Sequence, residues 1–121
     1  MKIEPIKPQE PTFGYSNQLK TLYKKGKLSV KYGFYGDELN KKNVTLEHLL
    51  PISQGGKTQL KNLVLASANK NQERGVRPLK SMLNWENVGR YLEQFKDVKI
   101  KDFNGNEYIQ LILQTIKELI K

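Results

Sequence analysis

His48 is the only histidine in the 121 residues, and it follows Glu47 in the apolar, β-branched run Val44-Thr45-Leu46-Glu47-His48-Leu49. Pro51 closes that run, a polar loop containing Gly55-Gly56 follows, a second apolar run covers Leu63-Val64-Leu65-Ala66, and a polar stretch then carries Asn71. Each of these residue types has a use at a phosphodiester. A neutral imidazole takes a proton from water near pH 7. A carboxylate and an amide carbonyl are the hard oxygen donors that a divalent cation prefers. Such a cation stabilises charge on the phosphate and on the leaving oxygen. Glu47, His48 and Asn71 are therefore candidate parts of a metal-assisted phosphodiesterase site.

The surrounding sequence must position them. The β-branched and apolar residues predict a strand over 44–49, ended by Pro51. A loop fills 53–61, where Gly55-Gly56 lets the chain turn back and Asn62 can pin it through backbone hydrogen bonds. A second strand is expected near 63–66, then a short helix capped by Ser67, running to Arg74 and ended by Gly75. In a pleated strand Glu47 and His48 point to opposite faces, so they share one centre only if the strand end twists or bulges. Taken singly these residues decide little. A lone histidine also serves as surface or core filler, and Asn71 among Asn69, Lys70, Gln72 and Glu73 also reads as a solvated helix face.

The order and spacing are more specific. Glu47-His48-Leu49-Leu50-Pro51, Ser53-Gln54-Gly55-Gly56, Asn62-Leu63-Val64-Leu65 and Asn71-Gln72-Glu73-Arg74-Gly75 resemble an HNH endonuclease over about residues 32–80. The resemblance implies an α+β fold with a ββα-metal (His-Me finger) core at about 43–75, flanked by an N-terminal helix and C-terminal helices. It supplies the twisted strand end that pleating does not. It implies His48 as general base and Glu47 and Asn71 as ligands of a single divalent ion, Mg²⁺ or Mn²⁺ or another. Asn62 matches the middle, chiefly structural motif position, so the catalytic set is His48, Asn62 and Asn71. The expected activity is metal-dependent cleavage or nicking of double-stranded DNA. Lys57, Lys70, Arg74 and Arg77 around the motif, and Lys24 and Lys25 before it, are the expected nucleic-acid contacts.

Two departures stand out. Family members often carry two Cys-x-x-Cys pairs on a structural zinc; here Tyr32, Tyr35, Ser67 and Lys70 occupy those positions, which predicts no structural zinc. Packing of Tyr32, Phe34 and Tyr35 is expected to substitute. Glu47 stands where Asp is usual, and active sites respond to displacements of about 1 Å. These departures support an alternative, an HNH-derived module that binds nucleic acid or protein with little or no cleavage. Joint retention of His48, Asn62 and Asn71 counts against it.

The rest of the chain fits one domain at 13–121 after an irregular arm at 1–12 that holds Pro5, Pro8 and Pro11. There is no cysteine, no run of membrane-spanning length and no apolar leader at the N-terminus, which fits a cytoplasmic setting; that the cell is bacterial or phage-infected is what the resemblance implies. Small free-standing HNH proteins are often encoded by phages or mobile elements, and some assist packaging, which allows a packaging or recombination partner. The net charge is +9. Residues 13–35 carry Lys20, Lys24, Lys25, Lys27 and Lys31 and no acid, whereas 1–12 and 91–121 are each balanced. The excess lies in and before the motif, where it serves either a polyanion or solubility. A helix is expected over 16–25 with Ser16 as its cap, then strand or extended chain near 28–36. A helical first turn is expected at Pro78, and a helix capped by Asn84 would bury Val88, Tyr91, Leu92 and Phe95. Trp85 is expected in the core with them rather than stacked on bases. A short strand at 98–100 and a turn at 103–106 precede a last helix capped by Asn106, whose broad apolar face closes the core or, if wider than the core, forms a homodimer.

Overall fold

The computed structural model describes residues 18–121; the arm at 1–12 and the cap at Ser16 lie outside the described residues. The expected first helix is present over 18–24 (α1). It buries Leu19, Leu22 and Tyr23 and leaves Lys24 and Lys25 in solvent. The segment 28–36 is not a strand. It buries Leu28 and Val30 but makes a single bridge, Tyr32 to Glu38, around a turn closed by Gly33 N–H donating to Asp37 O at 2.7 Å.

The centre is a two-stranded antiparallel sheet of β1 (Val44–His48) and β2 (Leu63–Ser67), in a register that pairs Val44 with Ser67 and His48 with Leu63. α2 (Ala68–Arg74) follows β2 directly. Ser67 caps it by accepting from Lys70 N–H at 3.2 Å, and Gly75 ends it with a φ of 54° that suits glycine. Strand, loop, strand and helix thus fall where the sequence places them, and the domain is α+β.

A two-stranded sheet is marginal alone, and all five residues of β2 are buried. Its outer edge is covered from elsewhere in the chain. Leu65 N–H donates to Tyr91 Oη at 2.9 Å, and Leu65 O accepts from Phe34 N–H at 2.9 Å. Tyr108 Oη donates to Leu63 O at 2.7 Å and lies 2.8 Å from Tyr91 Oη. These tyrosines come from α3 (Trp85–Glu93) and α4 (Gly105–Leu119). Tyr91, Phe95 and Tyr108 form edge-on ring pairs with centroids 4.8 to 6.5 Å apart, each such pair worth about 0.5–1.5 kcal/mol beyond its buried area. The C-terminal helices therefore support the motif sheet by satisfying its backbone in a dry core.

Three expectations need correction here. Trp85 is 51% exposed: it shares the angular face of Val88 and Leu92 but stands at the first position of α3, whose buried residues are Val88, Tyr91 and Leu92. Residues 103 and 104 are not a turn but a strand, β4 (Phe103–Asn104), paired with β3 (Lys99–Ile100). Asn104 rather than Asn106 caps α4, accepting from Glu107 N–H at 3.0 Å, while Asn106 bonds Asp97. α4 buries Tyr108, Ile112 and Ile116, with Ile109, Leu113, Leu119 and Ile120 partly buried against them. The large apolar side chains strongly exposed among the described residues are Ile52, Val76 and Trp85, none of them on α4, so that face is used by the core. No helix among the described residues is long and apolar enough to cross a membrane.

Candidate active site

β1 has two sides with different neighbours. α2 packs on one, and Asn71 and Arg74, three residues apart, face it together. Asn71 Nδ2 donates to Thr45 Oγ1 at 3.1 Å and to Leu46 O at 3.3 Å. A carbonyl can only accept, so the bond to Leu46 fixes the amide with its NH₂ toward the strand and leaves Oδ1 available.

Arg74 is 1% exposed. Its Nη1 donates to Glu47 Oε2 at 3.2 Å and to His48 O at 2.9 Å, its Nη2 to Leu49 O at 2.8 Å, and its Nε to Arg77 O at 2.9 Å. This corrects the expectation that Arg74 contacts nucleic acid. Its guanidinium is used up inside the protein, where it clamps the end of β1 to the end of α2. Glu47 is buried beside it and also accepts from Tyr35 Oη at 2.6 Å, again on Oε2. Burial, reinforced by the Glu47 carboxylate, pushes the Tyr35 phenol well above its ordinary range, so it stays a proton donor to Glu47. No donor among the described residues reaches Glu47 Oε1.

His48 lies on the other side of β1 and is half-buried. Its Nε2 is 3.0 Å from Thr58 Oγ1. Partial burial lowers the imidazole pKa below its ordinary value, and the Glu47 carboxylate only partly opposes this, so the ring is neutral near pH 7. β1 ends at His48, after which Leu49 N–H donates to Asn62 O at 2.9 Å. Asn62 is itself buried and spans the loop: Oδ1 accepts from Leu50 N–H at 2.8 Å, and Nδ2 donates to Leu50 O at 3.0 Å and Lys57 O at 2.9 Å. That is a positioning role and uses the side chain fully. Gly56 packs against the same turn, where a Cβ would lie 1.8 Å from Leu50 O.

Lys24, Lys25, Lys57 and Arg77 are exposed, and Lys70 pairs with Glu73 at 3.3 Å. A shallow cleft lined by Lys20, Thr21, Lys24 and Leu46 puts the α1 lysines beside β1. At the four positions aligned with zinc-binding cysteines, Tyr32 is held through its backbone by Gln94, Tyr35 bonds Glu47, Ser67 caps α2 and Lys70 contributes its amide to that cap. Asp37 joins the two halves by accepting from Ser67 N–H. From sequence alone Tyr35 is assigned only to packing and Tyr91 to the core, and Thr58 carries no signal. A tyrosine near a buried acid is the one signal that could have pointed to Tyr35.

No group of three His, Cys, Asp or Glu side chains among the described residues is arranged to hold a metal ion. The oxygens left over are Glu47 Oε1 and Asn71 Oδ1, both set by hydrogen bonds on their other atoms. Two hard oxygens suit a Mg²⁺-like ion that keeps water and takes its remaining ligands from a phosphate, rather than one held in an all-protein cage. Their donor chemistry is of the kind that such an ion takes.

Two strands, a pinned loop and a clamped helix with a neutral histidine at the strand end define a ββα nuclease-type domain. Residues 35–77 match the family model described as HNH endonuclease, and the likeness is to that segment of the chain. No curated protein and no solved structure matches the chain.

Proposed function

We propose that this protein is a metal-dependent endonuclease or nickase that hydrolyses phosphodiester bonds of double-stranded DNA. The observation that carries the reading is the half-buried His48 at the strand end next to Glu47, where burial lowers its pKa. His48 accepts the proton of the attacking water. Glu47 and Asn71 would hold one Mg²⁺- or Mn²⁺-like ion, which when bound would supply charge stabilisation on the phosphate and leaving oxygen. Asn62 keeps the loop from 50 to 62 in register with His48. Lys24, Lys25, Lys57 and Arg77, with Lys70 at the flank, hold the DNA backbone.

One observation favours a second reading. Arg74 already neutralises Glu47 at 3.2 Å, which weakens its pull on an ion and suits a binding module that cuts poorly or not at all. Incubation of supercoiled plasmid with Mg²⁺ or Mn²⁺ separates the two. Nicked or linear product that disappears with EDTA and in His48→Ala supports the nuclease. A mobility shift with no product under either ion supports the binding module and refutes the enzyme.

A further inference from the structure

We infer that Thr58 is a positioning residue for His48: its hydroxyl accepts a hydrogen bond from Nε2–H, which keeps the ring proton on Nε2 and the lone pair on Nδ1. The inference rests on the reading of His48 as the base. The contact is 3.0 Å between Nε2 and Oγ1, so Nε2 is occupied whichever atom donates. Among the described residues nothing bonds Nδ1. A ring nitrogen that is to take a proton from water needs an open lone pair, and Nδ1 is the nitrogen that has one. Thr58 is exposed, so its own hydroxyl proton can go to water and nothing is lost when it accepts from the ring.

The loop around Thr58 is built to hold this contact. Asn62 Nδ2 grips the carbonyl of Lys57, the residue before it, at 2.9 Å. Gly56 N–H donates to Pro51 O at 2.9 Å, and Gly56 allows the close approach to Leu50. The middle asparagine of the motif thus reaches the histidine in two ways, through Leu49 and Leu50 to its backbone and through Lys57 and Thr58 to its ring. A general base whose tautomer is fixed by a second group is a recurring device, because a ring with its proton on the wrong nitrogen cannot act.

The single histidine makes the test clean, since a ¹⁵N-histidine-labelled sample shows one imidazole. NMR of the neutral ring in the whole chain, with Thr58→Val and Thr58→Ser beside wild type, reads the proton position directly. Wild type and Thr58→Ser are expected to show a protected Nε2-bound proton, and Thr58→Val to lose it and relax to mixed tautomers. Single-turnover cleavage should fall about tenfold in Thr58→Val, as for other orienting partners at metal-assisted sites, with DNA affinity unchanged and Thr58→Ser near wild type. A proton on Nδ1 in wild type, or an unchanged ring in Thr58→Val, overturns the inference. The expected NMR pattern in a protein that cuts no DNA would uphold Thr58 as a positioning residue and refute His48 as a base.

Discussion

The two sides of β1 are built differently. On the α2 side Glu47 and Arg74 are buried, and the carboxylate, three backbone carbonyls and a phenol meet one guanidinium. On the loop side His48 is half-exposed and, among the described residues, has one side-chain hydrogen bond, to Thr58. The first side is fixed by charge between buried groups, whose parts hold only as a set. The second is held by a loop whose order comes from Asn62 and from backbone approach. The difference matches the two proposed tasks. Oxygens that share an ion need fixed positions, whereas a proton acceptor needs access to water and substrate with only its orientation set.

The largest effect that would break this comparison is on stability. Arg74→Ala would leave the Glu47 carboxylate and the carbonyls of His48, Leu49 and Arg77 without their donor, at a cost of about 3–5 kcal/mol in urea unfolding. A loss under about 1 kcal/mol would show that the α2 side is not the rigid one.

A smaller effect sharpens the loop side. The base works as the neutral ring, and burial lowers the His48 pKa. Cleavage should therefore be flat at neutral pH and fall as pH drops through an inflection below the ordinary imidazole value of about 6.5. An inflection above that value would mean that Glu47 outweighs burial at His48.

Much of the centre was legible because it is local. A β-branched run, a Gly-Gly turn and a Ser cap fix β1, the loop, β2 and α2 without help from distant residues. Asn62 and Asn71 were legible through their spacing from His48. Arg74 was misread because an arginine beside a phosphate path and an arginine clamping a buried acid look the same in one dimension; only the packing of α2 on β1 separates them. Tyr35, Tyr91 and Tyr108 reach the sheet across 12, 26 and 45 residues of chain, and no local pattern carries that information. Trp85 was misplaced because periodicity gives the angular face of a residue but not whether the core reaches the first position of the helix.

The central claim is that the end of β1 offers an ion site on Glu47 with Asn71 and, at the next residue, a base in His48. Mn²⁺ titration of the His48→Ala protein, followed by NMR broadening of the Asn71 side-chain amide, tests it most directly. Broadening centred on Asn71 and on the residues around Glu47, in a variant that no longer cleaves DNA, is the predicted result. No broadening there, or broadening that needs His48, would contradict an ion site made by Glu47 and Asn71.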